Sequence, residues 1–337
     1  MFGFDPPELS VAEAERIAAE LYGVRGAAAR LRGERSNNTL FTTETGEQFV
    51  LRVAGPSEQP ATIDLQVQVL ARLEQHAPHL PVARIRPATD GSLVSTTERC
   101  GAAHLVQLVT FLPGVTFADD VVVSFDGLTA IGELLGGIAA ALHQFDHPAA
   151  SGFMPWDIAN GLILDDDLWS GLASDARELA STGRARLEQL HDELPALPRQ
   201  IIHNDGHRGN LLRADDRSDM VTGVIDFGDL VRTVTAADLA VSGANFIGNQ
   251  PDPVAALGTL TAGYHRHLPL SPGEIAALPD LVLARLTLST LLTDYQIKHS
   301  PHIAGAVGRE RAGLLADLQR WSAIDPAQAA RRIQEML

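Results

Sequence analysis

A polar loop between two apolar runs carries a carboxylate and a carboxamide at a defined spacing. The run 201–202 enters the loop, the run 211–212 leaves it, and Asp205 and Asn210 lie between them. A further apolar run ends at Asp226, sixteen residues after Asn210. Phosphoryl transfer needs a base for the acceptor hydroxyl and oxygen ligands for Mg²⁺. Asp205, Asn210 and Asp226 offer that set, and the alternative for each acid is a simple turn-forming role.

The two motifs, His-x-Asp-x-x-x-x-Asn and Ile-Asp-Phe-Gly-Asp, resemble those of the aminoglycoside phosphotransferase and choline kinase-like family. Within that family, the chain is most similar to hydroxylysine kinase-like members. The resemblance covers nearly the whole chain, with weaker matches at residues 49–53, 112–114, 156–157 and 238–240. It implies a kinase that uses Mg²⁺ and ATP, with GTP as an equally compatible donor, to phosphorylate a hydroxyl group of a small molecule.

The resemblance also implies a role for each residue of the two motifs. Asp205 is expected to be the catalytic base, and Asn210 and Asp226 are expected to bind Mg²⁺. Three further residues are expected to support them. His203 holds the loop as a structural residue, Asp238 supports the loop from the start of a helix, and Asp229 is either a supporting acid or a surface residue.

The nucleotide side of the site departs from the family pattern. The family places a phosphate-binding lysine on the third strand, but the only lysine of this chain is Lys298, and Arg52 stands at the matching position. A guanidinium can also grip a phosphate, although it is bulkier than an ammonium group. By resemblance, Asp64 is the acidic partner of Arg52. Further nucleotide contacts are predicted in the loop 33–39 and beside a Pro-Gly hinge, at Ser36, Asn37, Asn38, Thr110 and Leu112.

Apolar periodicity and turn signals predict an α+β protein with two lobes. The family resemblance implies that this two-lobed fold is protein-kinase-like. Residues 1–112 are predicted to form a small antiparallel β-rich lobe that binds the nucleotide. Residues 113–337 are predicted to form a larger, mainly helical lobe with the catalytic loop and the acceptor site. The predicted strands are 26–31, 39–43, 48–53, 82–85 and 103–111, and the predicted helices are 11–22, 62–75, 127–145, 173–194, 253–267 and 279–298.

Composition limits the classes of partner. The chain has 337 residues and a net charge of −16, which argues against binding to nucleic acid or to an anionic membrane. The N-terminus lacks the features of a signal peptide, and the apolar run 128–142 is too short to span a bilayer. The single cysteine, Cys100, excludes an internal disulfide. These observations predict a cytoplasmic protein.

Two alternatives come from other functional classes. His203, Asp205 and His207 have spacing that could suit a metal-dependent hydrolase, and His265 and His267 could add ligands. That alternative leaves the second motif without a role. A catalytically inactive nucleotide-binding protein is suggested by the missing lysine, but such a protein has little need for a base.

The acceptor is predicted to be a small hydroxylated amine. Residues 113–337 carry 29 acidic and 16 basic residues, so this lobe should attract cations. The alternative is that the negative charge serves solubility alone. The family resemblance favours a hydroxy amino acid or an amino alcohol. An antibiotic-inactivating phosphotransferase of the aminoglycoside type is the alternative within the same chemistry.

Overall fold

The computed structural model describes residues 6–33, 35–99, 101–160, 166–299 and 304–337. Glu34 of the predicted nucleotide loop and Cys100 lie outside these residues. The chain divides into two compact units, Met1–Pro113 and Gly114–Leu337. The first unit contains an antiparallel sheet and two helices, and the second is mainly helical, which confirms the predicted α+β class.

The first helix, α1 (Val11–Tyr22), begins and ends where the sequence predicts. Ser10 Oγ accepts a hydrogen bond from the backbone N–H of Glu13 at 3.2 Å, and Glu13 Oε2 accepts one from the backbone N–H of Ser10 at 2.8 Å. This capping box satisfies two backbone donors at the helix start. Gly23 then adopts a left-handed conformation (φ 65°), which ends the helix at little steric cost.

The sheet of the first unit has six antiparallel strands, and the second helix follows its third strand. The elements are β1 (Ala27–Leu31), β2 (Ser36–Thr42), β3 (Gln48–Ala54), α2 (Pro60–His76), β4 (Ile85–Arg86), β5 (Ser95–Arg99) and β6 (Ala102–Thr110). The strand order is β1-β2-β3-β6-β4, and β5 also pairs with β6. Because side chains alternate along a strand, Phe41, Leu51 and Leu108 pack with α1 in the core, whereas Arg52 points to the opposite face.

The structure corrects the predicted strands at three points. β2 begins at Ser36 and not at residue 39, because Ser36 and Asn37 pair with Ala54 and Val53 of β3. This pairing overrides the low strand propensity of asparagine. The predicted strand 82–85 is reduced to the two residues of β4. The polar strand β5, which forms a hairpin with β6, escapes prediction because its exposed residues give no apolar signal.

The second unit contains small sheets on either side of the predicted catalytic loop, together with the remaining helices. β8 pairs with β11, and β9 pairs with both β10 and β7. The loop 203–210 therefore joins two separate sheets. The elements are β7 (Val115–Thr116), α3 (Phe125–Ala141), α4 (Asp166–Ser170), α5 (Ser174–His191), β8 (Arg199–Ile202), β9 (Leu211–Arg213), β10 (Val221–Val224), β11 (Val231–Val234), α6 (Ala237–Phe246), α7 (Pro253–His265), α8 (Pro272–His299), α9 (Ala304–Ser322) and α10 (Pro326–Glu335).

Helix α8 begins seven residues before its predicted start and contains Pro279 in its interior. A second capping box explains the early start: Ser271 Oγ accepts from the backbone N–H of Glu274, and Glu274 Oε2 accepts from that of Ser271. Within the described residues, α8 alone is long and apolar enough to cross a membrane by length and composition. Its most apolar window is 83% buried in the structure, and core helices of soluble proteins share these properties.

Candidate active site

The loop between β8 and β9 brings Asp205 and Asn210 into direct contact. Asn210 Nδ2 donates to Asp205 Oδ2 at 2.7 Å and to the Asp205 backbone carbonyl at 3.1 Å. These bonds orient the carboxylate and leave the carboxamide oxygen of Asn210 as its remaining acceptor. The Asp205 side chain is 20% exposed, so a substrate hydroxyl can reach it.

His203 is fully buried and supports the same loop from the protein interior. Its ring packs edge-on against Phe227, with the centroids 4.7 Å apart, and its Nδ1 accepts a hydrogen bond from the backbone N–H of Asp205 at 3.3 Å. Burial lowers the pKa of His203 to about 4 against the favourable charge of Asp226. The ring is therefore neutral at pH 7, which favours the predicted structural role over proton transfer.

Helix α6 holds the loop at two further points. Asp238, in its first turn, accepts a hydrogen bond from the backbone N–H of Asn204 at 2.9 Å. Asn204 has φ 63°, a conformation that asparagine tolerates better than most residues. Ser242 Oγ donates to the carbonyl of Gly206 at 2.7 Å. Burial raises the pKa of Asp238 to about 6, although hydrogen bonds from the loop backbone favour its ionised form.

Asp226 is exposed and lies two residues after the end of β10, next to the predicted catalytic loop. The backbone N–H of Ile225 donates to the Asn210 carbonyl at 2.9 Å. Ile225 precedes Asp226, so this bond joins the backbone segments of the two predicted metal ligands, Asn210 and Asp226. Asp226 has φ 60°, and its Oδ1 accepts from the backbone N–H of Gly228 at 3.0 Å. The free oxygen of Asp226 and the carboxamide oxygen of Asn210 are hard donors of the kind that Mg²⁺ prefers, so the donor set fits this ion.

A buried arginine completes the charged surroundings of Asp205. Arg285, on α8, is 5% exposed, and burial lowers the pKa of its guanidinium while Asp205, Asp229 and Asp157 raise it. Asp229 is itself buried, so the surface alternative for this residue is wrong. Arg285 is not among the site residues predicted from the sequence. The available signal is a charged residue inside the apolar stretch Leu281–Leu292, where an unpaired charge would be costly.

In the first unit, Arg52 lines a small pocket on the face of the sheet opposite α1. The other lining residues are Ser36, Ala54, Glu58, Ile63, Gln66, Leu105 and Gln107. Arg52 pairs in register with Asn38 on β2 and Gln107 on β6, so these side chains share its face. Ser36 Oγ donates to a carboxylate oxygen of Glu58. The buried Gln66 of α2 lines the same pocket as Arg52 and the acid Glu58.

Two predicted nucleotide-side residues have placements that do not support their assigned roles. Asp64 lies on the exposed side of α2 and accepts a hydrogen bond from Gln68 at 2.8 Å, whereas Gln66 lines the Arg52 pocket. Asn37 is buried on the core face of β2, where its Nδ2 donates to the Pro7 carbonyl at 3.1 Å. The one-residue alternation of a strand puts Asn37 on the face opposite Arg52.

Thr110 and Leu112, beside the predicted hinge, lie at and just after the end of β6, and Thr110 is hydrogen-bonded to the backbone of another segment. The backbone N–H of Thr110 donates to the Arg84 carbonyl, and Thr110 Oγ1 accepts from the Arg84 backbone N–H, both at 2.9 Å. These bonds tie the end of β6 to the segment before β4. Leu112 is half-buried and lies two residues beyond β6. Nucleotide contacts at Thr110 and Leu112 stay predictions.

The geometry of the histidines opposes a zinc-hydrolase site. His203 Nδ1 and His207 Nδ1 both accept backbone N–H groups, from Asp205 and Gly209 respectively. His265 Nδ1 accepts the backbone N–H of Leu270 at 3.1 Å. A ring whose Nδ1 accepts a hydrogen bond carries its proton on Nε2, so neither nitrogen of these three histidines offers a lone pair to a metal.

We expect opposite acid responses from His203→Asn and Asp238→Asn variants. Folding lowers the pKa of His203 from 6.5 to about 4, so His203 costs stability as pH falls through this range. Folding raises the pKa of Asp238 from 3.8 to about 6, so its protonation adds stability as pH falls from 6. Between pH 7 and about 4.5, each residue should change the free energy of unfolding by roughly 2 kcal/mol, in opposite directions.

Urea unfolding of the parent and both variants at the two pH values measures these contributions. Relative to the parent, His203→Asn should gain stability on acidification and Asp238→Asn should lose it. Parallel pH dependences for all three proteins would contradict both assignments.

Comparison with known proteins places this geometry in a family. The model of the phosphotransferase enzyme family matches residues 27–272. A hydroxylysine kinase from Danio rerio is 26% identical over 309 residues, covering 88% of this chain and 86% of the relative. A homoserine kinase from Gluconacetobacter diazotrophicus is 30% identical over 289 residues, covering 81% of each.

The fold also matches solved structures. A microcompartment-associated aminopropanol kinase aligns with a TM-score of 0.71 at 23% identity, covering 93% of this chain and 97% of its own. An amicoumacin kinase aligns with a TM-score of 0.70 at 17% identity, covering 95% and 97%. These matches confirm the predicted two-lobed, kinase-like fold. The family model and the curated relatives together show that this chain belongs to the phosphotransferase enzyme family and is a kinase that acts on a hydroxyl group of a small molecule.

Proposed function

We propose that the protein transfers the γ-phosphate of ATP to the hydroxyl group of a small aminated acceptor, such as a hydroxy amino acid or an amino alcohol. The observation that carries this proposal is the contact between Asp205 and Asn210, joined through the Ile225–Asn210 backbone bond to the strand end that presents Asp226. One short segment thus holds a base and two oxygen donors together. Phosphoryl transfer requires these groups in proximity.

In the proposed mechanism, Asp205 accepts the proton of the acceptor hydroxyl as that oxygen attacks the γ-phosphorus. The bond between the γ-phosphorus and the β–γ bridging oxygen breaks, and ADP leaves with that oxygen. The hydrogen bond from Asn210 Nδ2 keeps the carboxylate oriented, and neutral His203 and buried Asp238 hold the loop backbone. Asn210 and Asp226 would hold Mg²⁺, which neutralises charge on the phosphate oxygens when bound. GTP remains compatible with the same residues.

The nucleotide phosphates are assigned to residues of the first unit. Arg52 supplies the positive charge that the family's lysine otherwise provides, and Ser36 and Asn38 share its face of the sheet. Thr110 and Leu112 are assigned to the nucleotide by resemblance alone. We place the protein in the cytoplasm on the sequence features given above.

The acceptor class rests on charge and on the named relatives. The second unit is strongly acidic, so it favours cationic or zwitterionic acceptors over anionic ones. The relatives of known name act on hydroxylysine and homoserine, which both carry an amine and a hydroxyl. An aminoglycoside-type acceptor is the competing proposal, because solved spectinomycin and hygromycin phosphotransferases share the fold.

A coupled assay of ADP release tests the proposed function. Purified protein with Mg²⁺ and ATP is offered hydroxy amino acids, amino alcohols, aminoglycosides and neutral sugars in parallel. We expect kcat/KM to be at least about tenfold higher for the best hydroxylated amine than for any neutral sugar, a difference of about 1.4 kcal/mol in transition-state binding. Preferential turnover of a neutral sugar or of an aminoglycoside would contradict the proposed acceptor class.

A further inference from the structure

Arg285 is a buried positive charge within a long, largely apolar stretch of helix α8. It is 5% exposed, and its neighbours Ala284 and Leu286 are buried. A charge in such a position is costly unless it is paired or has a function. The residue does not belong to either catalytic motif, and the mechanism above does not use it.

The contacts of Arg285 fix the position of its guanidinium but leave at least one of its N–H donors without a hydrogen-bond acceptor in the described part of the chain. One terminal nitrogen, Nη1, donates to the Trp156 carbonyl at 2.7 Å, and the guanidinium carbon lies 5.0 Å from the centre of the Trp156 ring. The buried Nε has no hydrogen-bond partner among the residues that the structure describes. Because the guanidinium fork presents its donors in one plane, a carboxylate is the group that best matches the remaining donors.

The position of Arg285 relates this unsatisfied donor to the reaction. The charge of Asp205 acts on Arg285 more strongly than any other carboxylate, ahead of Asp229 and Asp157. Asp157 is already engaged, because its Oδ1 accepts from Thr233 Oγ1 at 2.7 Å and from the backbone N–H of Ala159 at 3.1 Å. Trp156, which Arg285 contacts, is thus the neighbour of a residue bonded to β11, and β11 pairs with β8, the strand that leads into the loop of Asp205. This chain of contacts places the guanidinium on the side of the fold where an acceptor hydroxyl would meet Asp205.

We propose that Arg285 binds the carboxylate of the acceptor, so that the substrate class is a hydroxy amino acid and not an amino alcohol or an aminated sugar. This inference rests on the proposed function and narrows it. A hydroxy amino acid also suits the acidic second unit, because its ammonium group is attracted to the negative charge while its carboxylate binds Arg285. Arg285 selects among acceptors, and it takes no part in the proton or phosphoryl transfer.

A purely structural role for Arg285 makes a different prediction. If the guanidinium only clamps Trp156, its loss should weaken all acceptors alike and lower the stability of the fold. A carboxylate-binding role instead changes the ratio between two acceptors that differ only in the carboxylate. Such pairs are available: serine with ethanolamine, threonine with isopropanolamine, and homoserine with propanolamine.

The experiment measures kcat/KM for each pair with the full chain, Mg²⁺ and ATP. In the parent, the best amino acid should exceed its decarboxylated partner by between about 10-fold and 10²-fold, as expected for charge-assisted hydrogen bonds. Arg285→Gln should reduce that ratio to within about threefold of one, and Arg285→Lys should leave an intermediate ratio, because lysine keeps the charge but not the fork.

Arg213→Gln is the matched control. Arg213 is also buried, lies 5.2 Å from the centre of the Phe117 ring and donates to the Asp216 carbonyl at 3.0 Å. Its replacement should lower thermal stability without changing the acid-to-amine ratio. An unchanged ratio in a folded Arg285→Gln protein would overturn the assignment, as would a parent that does not prefer the acids.

Calorimetry of the same acceptor pairs measures binding without turnover. It therefore tests the carboxylate site separately from the proposed kinase activity. A parent that phosphorylates amino alcohols as well as amino acids remains a kinase of the proposed kind but loses the carboxylate site. A parent that phosphorylates neither class contradicts the proposed function. In that case an acid-to-amine difference in binding, abolished by Arg285→Gln, still supports the site, and equal binding overturns it.

Discussion

An Asp205→Asn enzyme should fold as the parent does and lose about 10²–10⁴-fold in kcat, the contribution of a positioned general base. The substitution is nearly isosteric, and the new carboxamide oxygen can still accept the hydrogen bond that Asn210 Nδ2 donates at 2.7 Å. What it removes is the capacity to take a proton from the acceptor hydroxyl. The nucleotide KM should change little, because Asp205 is assigned to the acceptor side of the reaction.

Steady-state kinetics with thermal melting measure this effect. Asp215→Asn is the control, because Asp215 is an exposed residue between β9 and β10 whose side chain only accepts from the backbone N–H of Arg217. The control should retain parental kinetics. A folded Asp205→Asn enzyme within threefold of the parent would remove Asp205 from the mechanism.

An Asp226→Asn enzyme should instead lose metal-dependent nucleotide binding. Asparagine tolerates the φ of 60° at this position and can keep the hydrogen bond from Gly228, so the backbone should survive. The lost group is the one carboxylate among the two assigned Mg²⁺ ligands. Replacing residues that only orient metal ligands typically costs about 10–100-fold in metal affinity or activity, so a direct ligand should cost at least about 10²-fold.

Titration of Mg²⁺ against ATP affinity and turnover distinguishes this result from the loss of the base. In Asp226→Asn, the Mg²⁺ concentration for half-maximal activity should rise, whereas in Asp205→Asn it should stay at the parental value. Asp216→Asn, at an exposed position of the β9–β10 turn, is the control for charge alone. A parental Mg²⁺ dependence in Asp226→Asn would refute the metal-ligand assignment.

The loop between β8 and β9, which carries the proposed base, was predictable because its determinants are local. Two apolar strands flank it, and the residue types and spacing of Asp205 and Asn210 persist whatever surrounds them. The start of α1 was predictable for the same reason, since the capping box of Ser10 and Glu13 closes within four residues. Local hydrogen bonds and alternation fix such elements before long-range packing acts.

The predicted nucleotide contacts of the first unit were harder to obtain from the sequence. Their side-chain directions depend on where a strand begins. Placing the start of β2 at residue 39 leaves Asn37 in a loop, free to reach a phosphate. The pairing of Asn37 with Val53 instead extends β2 to Ser36 and turns Asn37 toward the core, away from the face of Arg52. In the same way, the turn of α2 that faces the sheet carries Gln66 and not Asp64. A shift of one or two residues reverses the face in a strand or a helix.

By itself, the sequence determined the fold class and the candidate residues for phosphoryl transfer, because a motif is a short segment whose residue types and spacing are read directly from the chain. Only the tertiary structure decided what surrounds that motif. Arg285 lies eighty residues after Asp205 in the chain, and folding brings its charge to bear on Asp205. Burial and charge depend on residues from several elements packed together, so the neutrality of His203, the burial of Asp229 and the unsatisfied donor of Arg285 follow from the fold and not from their places in the sequence.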